Sequence, residues 1–225
     1  MFKRIQGLAM VMLTFHAAAI LADEQPDTDQ EKFSYAVGVQ LSQNMLRQSI
    51  SVDPEAFIQA INDVLNHKDL KLTPEEMQQV LVNYQQQQVQ KQSELGATNK
   101  AAGEKFLAEN KAKPGVVTLP SGLQYKIITA GNGNKPSLDN TVTVHYEGSL
   151  LDGKVFDSSY QRGEPIKLQV NGVIKGWQEV LPLMPVGAKW QVFIPAELGY
   201  GEGGAGGDIG PNSTLLFDIE LISIN

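Results

Sequence analysis

The chain has 225 residues, of which 42% are hydrophobic and 19% are charged, a balance typical of a globular protein with a substantial core. The length favours one catalytic-sized domain joined to a smaller module. Because cysteine is absent and histidines number three, disulfides, thiolate chemistry and histidine metal clusters are excluded, and we expect no metal and no cofactor. The net charge of -7 argues against a nucleic-acid partner, since phosphate binding needs clustered Lys and Arg.

Residues 1–22 have the pattern of a secretory signal peptide. Lys3 and Arg4 precede an apolar stretch, and Ala22 stands directly before a run of polar and acidic residues. The apolar stretch of about 14 residues is shorter than the roughly 20 that a membrane-spanning helix needs, which argues against a transmembrane anchor. The sequence therefore predicts export, with cleavage near Ala22.

The pattern of the chain changes near residue 113. From Thr28 to about Ala112 there is little turn chemistry, whereas glycine and proline recur between short alternating segments after Gly115. This change predicts an all-helical module over residues 23–113 and a strand-rich domain over residues 114–225.

Three helix starts are predicted in the first module, at Thr28, Asp53 and Thr73. Apolar residues repeat on one face of each helix, which leaves three narrow stripes for a core. Because stripes of this size make a thin core for an independent domain, we expect a homodimer through residues 28–90.

The third helix is predicted to be long, because no proline follows Pro74 before Pro114. About 40 helical residues would span about 60 Å at about 1.5 Å per residue. The second half of this helix is polar and carries no apolar stripe, so we expect a stalk exposed to solvent. Gly96 and Gly103 are expected to weaken it, because glycine is a poor helix former.

Alternating apolar residues predict strands in the second domain. Val142, Val144 and Tyr146 alternate with polar residues, and the segment 215–221 has the same period. A short helix is predicted from Ile174 to Leu181. The fold class is therefore α+β, in which an all-helical dimerisation module and a long stalk helix are joined to an antiparallel β-sheet wrapped around a short helix.

Several enzyme classes have no support in the sequence. Gly201, Gly203 and Gly206 match a dinucleotide-binding spacing, but no helix follows to hold a pyrophosphate. No serine has a nucleophile-elbow pattern, and His145 is predicted to face away from the core, so a Ser/His/Asp site is not predicted. A glycosidase would rest on carboxylate content alone.

Aromatic residues are concentrated at strand ends and turns of the second domain. Core packing explains each of them singly, but together with their neighbours they form five ordered blocks. The blocks are Val142–Gly148, Asp152–Ser159, Val173–Trp177, Leu198–Gly201 and Ile209–Asp218. In this order they resemble the FKBP family of peptidyl-prolyl isomerases over about residues 117–225. The helical part resembles the secreted dimeric bacterial branch of that family, typified by the macrophage infectivity potentiator and periplasmic FKBP chaperones.

The resemblance implies an enzyme that rotates Xaa-Pro peptide bonds in exported, unfolded polypeptides and that also has chaperone activity. Rotation of this amide meets a barrier of about 18–20 kcal/mol, but no bond breaks. A dry pocket favours the twisted, less polar amide over the planar form that water stabilises. This chemistry calls for aromatic walls and needs neither a nucleophile nor a metal.

The resemblance also implies which residues form the site. The implied catalytic residues are Tyr146, Phe156, Asp157, Trp177, Tyr200 and Phe217, and the implied substrate-binding residues are Arg162, Ile166, Val173, Ile174 and Ile209. Two roles stay open for Asp157, which would act on the rotating amide by its charge or hold its loop, for instance by pairing with Arg162. Ile166 and Ala205 stand where many members have phenylalanine and histidine, so we expect a wider pocket there. Asp208 adds an acid at the rim.

Partners and location follow from the same resemblance. We expect proline-containing unfolded or partly folded polypeptides as substrates and macrolides of the rapamycin type as inhibitors. The implied location is the periplasm, the outer membrane or the cell surface of a bacterium. Two alternatives remain open: a secreted dimeric holdase that binds unfolded chains without turnover, and a surface virulence factor.

Overall fold

The computed structural model describes residues 25–48 and 50–225. The predicted signal peptide lies outside these residues. The chain divides into two compact units between Leu46 and Arg47. In the part of the chain that is described, no helix is long and apolar enough to cross a bilayer. The division at residue 113 stays a prediction, because both sides of it belong to the unit from Arg47 to Asn225.

Three helices come first in the chain, and all three predicted starts are confirmed. The helices are α1 (Asp29–Arg47), α2 (Pro54–Leu65) and α3 (Pro74–Asn110). At α3 the Thr73 side chain accepts a hydrogen bond from the Glu76 amide, and the Glu76 carboxylate accepts one from the Thr73 amide. The Asp53 side chain caps α2 through the Ala56 amide. Local hydrogen bonds three residues apart therefore set these helix ends.

The second half of α3 packs one side against the strand-rich domain, which corrects the expectation that it has nothing to pack against, whereas most of its residues are exposed as expected. The ring of Phe106 lies 5.7 Å from that of Phe193, measured between centroids. Asn110 Nδ2 donates to Gln124 Oε1 over 3.0 Å, and both side chains are buried. This interface consists of isolated ring contacts and amide hydrogen bonds. The helix therefore has no continuous apolar stripe in its sequence.

Gly96 and Gly103 allow that close approach, which corrects the expectation that they simply weaken the helix. A Cβ atom on Gly103 would lie 2.2 Å from Thr214 Oγ1, and one on Gly96 would lie 3.1 Å from the Pro211 Cβ. Larger residues would hold α3 away from the segment 211–214. The cost of glycine in a helix is therefore offset by tertiary contact.

The strand-rich domain contains one antiparallel sheet, as predicted. Its strands are β1 (Val116–Thr118), β2 (Gln124–Thr129), β3 (Thr141–Ser149), β4 (Val155–Ser158), β5 (Ile166–Gln169), β6 (Lys189–Ile194) and β7 (Leu215–Ile224). The order is β1-β2-β6-β7-β3-β4, and β5 pairs with β3 off this path. Two short helices follow β4 and β5, namely α4 (Ser159–Arg162) and α5 (Lys175–Val180).

The core lies between one face of this sheet and α5. Inward positions alternate with outward ones along β3 and β7, so that Val142, Val144 and Tyr146 are buried as predicted. From α5, Trp177 is buried in the same cluster. A Cβ on Gly176 would lie 2.6 Å from the Ile194 side chain, so the helix contacts the sheet closely. The predicted α+β class is confirmed.

Candidate active site

Four aromatic rings from four different elements meet at one end of the core. Trp177 of α5 lies 5.3 Å from Tyr146 of β3 and 5.2 Å from Phe217 of β7, both edge to face. Phe156 of β4 lies 5.6 Å from Phe217, also edge to face. Such pairs favour one arrangement because the positive edge of one ring meets the negative face of the other. We call Tyr146, Phe156, Trp177 and Phe217 the aromatic cluster.

Gly148 makes room for this cluster. It lies on the inward face of β3, two residues after Tyr146. A Cβ atom there would lie 2.6 Å from the ring of Phe217 and 2.7 Å from that of Phe156. The sequence analysis missed this residue, although a glycine at an inward strand position is a recognisable signal for close approach of neighbouring groups.

A polar group closes one side of the cluster. The Asp157 carboxylate accepts hydrogen bonds from the Tyr146 hydroxyl and from the Arg162 guanidinium. Arg162 Nη2 also donates to Tyr146 Oη over 2.8 Å, and the guanidinium lies 5.5 Å from the centre of the Tyr146 ring. The predicted pairing of Asp157 with Arg162 is present, and Tyr146 is a third member of the group.

The electrostatics of this group fix its protonation. Burial raises the pKa of the Asp157 carboxyl, but the hydrogen bonds from Tyr146 and Arg162 and the positive charge of Arg162 outweigh burial, and the pKa lies below its ordinary value. Burial, followed by the hydrogen bond to Asp157, raises the pKa of the Tyr146 hydroxyl. At neutral pH Asp157 is therefore an anion and Tyr146 a neutral donor.

His145 faces away from the core as predicted, but it contacts a serine that the sequence analysis did not single out. His145 Nδ1 lies 2.9 Å from Ser159 Oγ. Ser159 is fully buried, and its Oγ also bonds the Tyr146 amide over 2.7 Å and the Tyr146 carbonyl over 3.1 Å. Ser159 therefore ties β3 to the helix that carries Arg162, and its bonds give it a structural role.

The remaining predicted site residues lie around the cluster at different depths. Ile209 is buried in the same core, and three others are partly buried against it, namely Ile166, Val173 and Ile174. Tyr200 is 41% exposed. In residues 25–48 and 50–225 it has no aromatic neighbour and its hydroxyl has no hydrogen-bond partner. The structure thus brings the wall residues together but leaves Tyr200 open to solvent.

Three further features bear on the chemistry. Gly201–Gly203 form a single 3₁₀ turn with no α-helix after it, which agrees with the rejection of the dinucleotide pattern. Among the residues that the structure describes, no group of His, Asp or Glu is arranged to hold a metal ion. The Trp177 indole N–H is buried without a hydrogen-bond partner there.

A cavity of about 670 Å³ lies beside the aromatic cluster, between α3 and two loops of the strand-rich domain. Ile209 is the one predicted site residue that lines it. The cavity and the aromatic cluster are distinct features, and Ile209, which packs in the same core as Trp177 and Phe217, lines the cavity.

Two family models match the chain. One is described as the domain amino-terminal to FKBP-type peptidyl-prolyl isomerase and matches residues 30–127. The other is described as FKBP-type peptidyl-prolyl cis-trans isomerase and matches residues 132–222. The second match contains the whole aromatic cluster together with Asp157 and Arg162.

Similar proteins support the same assignment. The outer membrane protein MIP of Legionella longbeachae is 46% identical over 98% of this chain and 94% of its own length. The peptidyl-prolyl cis-trans isomerase Mip of Coxiella burnetii is 45% identical over 94% of this chain and 91% of its own. The crystal structure of FkpA from Escherichia coli is 35% identical, covers 89% of this chain and 99% of that chain, and superimposes with a TM-score of 0.63. The chain therefore belongs to the FKBP family and is a peptidyl-prolyl cis-trans isomerase.

Proposed function

We propose that this isomerase accelerates Xaa-Pro rotation in exported polypeptides by holding the proline against Trp177 and the rings around it. The observation that supports this most strongly is the aromatic cluster, in which Tyr146 and Phe217 pack against the Trp177 ring and Phe156 packs against Phe217. Rotation makes and breaks no covalent bond, so a site without a nucleophile or a metal is sufficient for the reaction.

Desolvation supplies the rate enhancement in this proposal. Water stabilises the planar, polar amide more than the twisted one, so moving the amide into an apolar site lowers the barrier. Tyr146, Trp177 and Phe217 are buried, and Ile209, Val173 and Ile174 add apolar surface around them. Tyr200 is exposed at the edge and its free hydroxyl is available to donate a hydrogen bond to a substrate carbonyl.

Asp157 has both of the roles that the sequence left open. Its carboxylate holds the Tyr146 hydroxyl and the Arg162 guanidinium in place, which is a structural role. Because it stays ionised beside the rings, it also sets the local field on the rotating amide. Arg162 shares this charge, which keeps the net charge of the group near zero.

Activity on a short Xaa-Pro peptide, with and without a macrolide of the rapamycin type, tests the proposal. Phe156→Ala should weaken both turnover and macrolide binding, because it removes a wall of the cluster and admits water. A core truncation of this kind costs about 3–5 kcal/mol, and we expect a smaller loss at a partly exposed cleft. Tyr35→Ala, an exposed aromatic of α1, is the control. If Phe156→Ala had the same turnover as the wild type, the proposed desolvation mechanism would be refuted.

A homodimer through residues 28–90 is part of the proposal. No residue of α1 is buried, and its Phe33 is 65% exposed. On α2 and the start of α3, Ile58, Val64 and Leu81 are also exposed. A second copy of the chain is the natural cover for apolar surface of this extent. Sedimentation should therefore show a dimer that Leu41→Glu weakens and that the neighbouring Gln40→Glu leaves intact.

A persistent dimer of Leu41→Glu would place the interface elsewhere.

We also propose that the mature protein acts outside the cytoplasm, in the periplasm or at the outer membrane or cell surface. The predicted signal peptide over residues 1–22 and a relative named as an outer membrane protein support this location. Cell fractionation tests it, and recovery of the uncleaved chain in the cytoplasm would refute it.

The isomerase names of the relatives favour turnover over a holdase without activity or a virulence factor without turnover. Chaperone activity is compatible with turnover, because a dimer presents two aromatic clusters to one unfolded chain. A proline-limited refolding assay separates the two activities. A pure holdase would suppress aggregation and leave the slow isomerisation phase unchanged.

A further inference from the structure

A groove between α3 and the strand-rich domain has no role in the site described so far. It is the cavity of about 670 Å³, and we call it the stalk groove. Its helix side is formed by Gln92, Leu95, Asn99 and Ala102, and its domain side by residues 150–154 and 202–214. Ligand sites in proteins have volumes of about 300–1,000 Å³, so the stalk groove is large enough to hold several residues of an extended peptide.

We propose that the stalk groove binds the part of the substrate polypeptide that flanks the proline. This inference rests on the proposed function, since it assumes that the proline occupies the aromatic cluster. The occupant is the same unfolded chain, in extended conformation, with apolar side chains and with Lys or Arg near the groove rim.

Continuity with the aromatic cluster supports this occupant. Ile209 packs in the same core as Trp177 and Phe217, and it also lines the stalk groove. Lys154 lines the groove as well, and it stands two residues before Phe156 of the cluster. A polypeptide that leaves the aromatic cluster past Ile209 therefore enters the groove directly.

The lining suits an extended peptide. Leu95, Leu150 and Leu151 provide an apolar surface, and four glycines of the 203–210 loop leave backbone groups uncovered. On the helix side, Asn99 donates through Nδ2 to the Pro211 carbonyl over 2.9 Å, while its Oδ1 accepts no hydrogen bond from the described residues. Free backbone and amide groups beside an apolar surface are the features that bind peptide main chain together with apolar side chains.

The charge of the rim selects among peptides. Asp152, Glu202 and Asp208 line the groove with one lysine, Lys154, which pairs with Asp208 over 2.8 Å. Asp152 and Glu202 have no cationic partner in residues 25–48 and 50–225. The excess negative charge favours Lys or Arg in the occupant and disfavours Asp or Glu.

The groove is held open by fixed contacts. Gly103 lies against Thr214, and Asn110 bonds Gln124 at the end of α3. On the loop, a Cβ on Gly210 would lie 3.1 Å from Asn99 Nδ2 and 3.2 Å from the Leu95 side chain. Because both walls are positioned before a peptide arrives, binding costs little ordering of the protein.

The stalk groove can be filled without removing a native contact. Ala102 is exposed and lines the groove, whereas Ala101 is exposed and does not. We expect Ala102→Trp to lower kcat/KM about five- to tenfold on a long peptide whose Xaa-Pro core is extended on both sides by leucine and lysine, a loss typical of one blocked apolar subsite. On the short Xaa-Pro core alone, the same variant should match the wild type. Ala101→Trp should match the wild type on both substrates.

Equal kcat/KM of Ala102→Trp and Ala101→Trp on the long peptide would overturn the proposal. An equal loss on the long and the short peptide would also overturn it, because the effect would then lie in the aromatic cluster. Failure of the wild type on the short peptide would instead contradict the proposed function. As a second test, Glu202→Gln should reduce the preference for lysine-flanked over glutamate-flanked peptides, and an unchanged preference would count against the groove.

Discussion

The helical region and the strand-rich domain use apolar residues in opposite ways. In the strand-rich domain, β3, β7 and α5 bury their apolar residues in one continuous core, with Ile219 of β7 and Val180 of α5 fully buried. In α1 no residue is buried, although Phe33, Val37 and Leu41 repeat on the helix. The strand-rich domain completes its core within the chain, and α1 leaves its apolar side chains exposed. We therefore expect stability and catalysis to depend on the strand-rich domain, and the proposed assembly to depend on the helical region.

The largest expected effect tests that contrast directly. Ile219→Ala should lower the free energy of unfolding of the strand-rich domain by about 2–5 kcal/mol, because it leaves a cavity in a closed core. Phe33→Ala should leave the unfolding of that domain unchanged. It should change only the dependence of the urea midpoint on protein concentration, which reports on the dimer. Urea unfolding at two protein concentrations measures both. An equal loss in the two variants would show that the regions fold as one unit.

Truncation sharpens the boundary between the two regions. A fragment that starts at Gly115 lacks Phe106 and Asn110. It therefore loses the ring contact with Phe193 and the hydrogen bond to the buried Gln124. We expect it to be about 2–4 kcal/mol less stable than a fragment that starts at Gln92, because apolar surface is exposed and a buried amide loses its partner. Both fragments should turn over the short peptide when folded. Equal midpoints in urea would show that α3 does not stabilise the domain.

A smaller effect is expected at the glycines of α3. Gly103→Ala places a Cβ 2.2 Å from Thr214 Oγ1, so the contact must shift. We expect a loss of about 1–3 kcal/mol, the usual cost of overpacking, in place of the gain that alanine brings to a free helix.

Gly38→Ala is the matched control, because a Cβ there would meet nothing within 4 Å. It should raise the stability of α1 by up to about 1 kcal/mol. Combining Gly103→Ala with Thr214→Ala should recover part of the loss. A stabilising Gly103→Ala would mean that the second half of α3 is a free stalk after all.

The smallest effect concerns Asp157, whose side chain is 42% exposed. Its folded pKa is depressed, so its stabilising contribution is complete above its ordinary value of 3.8 and is lost as the pH falls through the folded pKa. Asp157→Asn should therefore differ from the wild type in melting temperature at pH 7 and converge with it in strong acid. If the carboxylate also acts on the twisted amide, kcat/KM falls at pH 7 by more than the small stability change explains.

Thermal melts between neutral and strongly acidic pH, with activity measured at pH 7, separate the two roles. A several-degree loss of melting temperature with full activity of the folded fraction would leave Asp157 a purely structural residue. Hydrophobic contact with the aromatic cluster would then account for turnover without it.

The sequence alone determined those features that depend on neighbours a few residues away. The start of α3 was predictable because Thr73 and Glu76 bond each other across one turn. The inward face of β3 was predictable because side chains alternate along a strand. The family followed from five ordered blocks of residues, and the order of residues is all that such a comparison needs.

Only the tertiary structure decided how α3 meets the strand-rich domain. Its docking contacts join residues more than 100 positions apart, such as Asn99 with Pro211 and Gly103 with Thr214. Glycine and amide contacts produce no hydrophobic periodicity, so the second half of the helix had the pattern of a free stalk. Ser159 was missed because its role is defined by the groups that the fold brings against it. The stalk groove depends on these contacts, because it exists only where the helix and the loops approach one another.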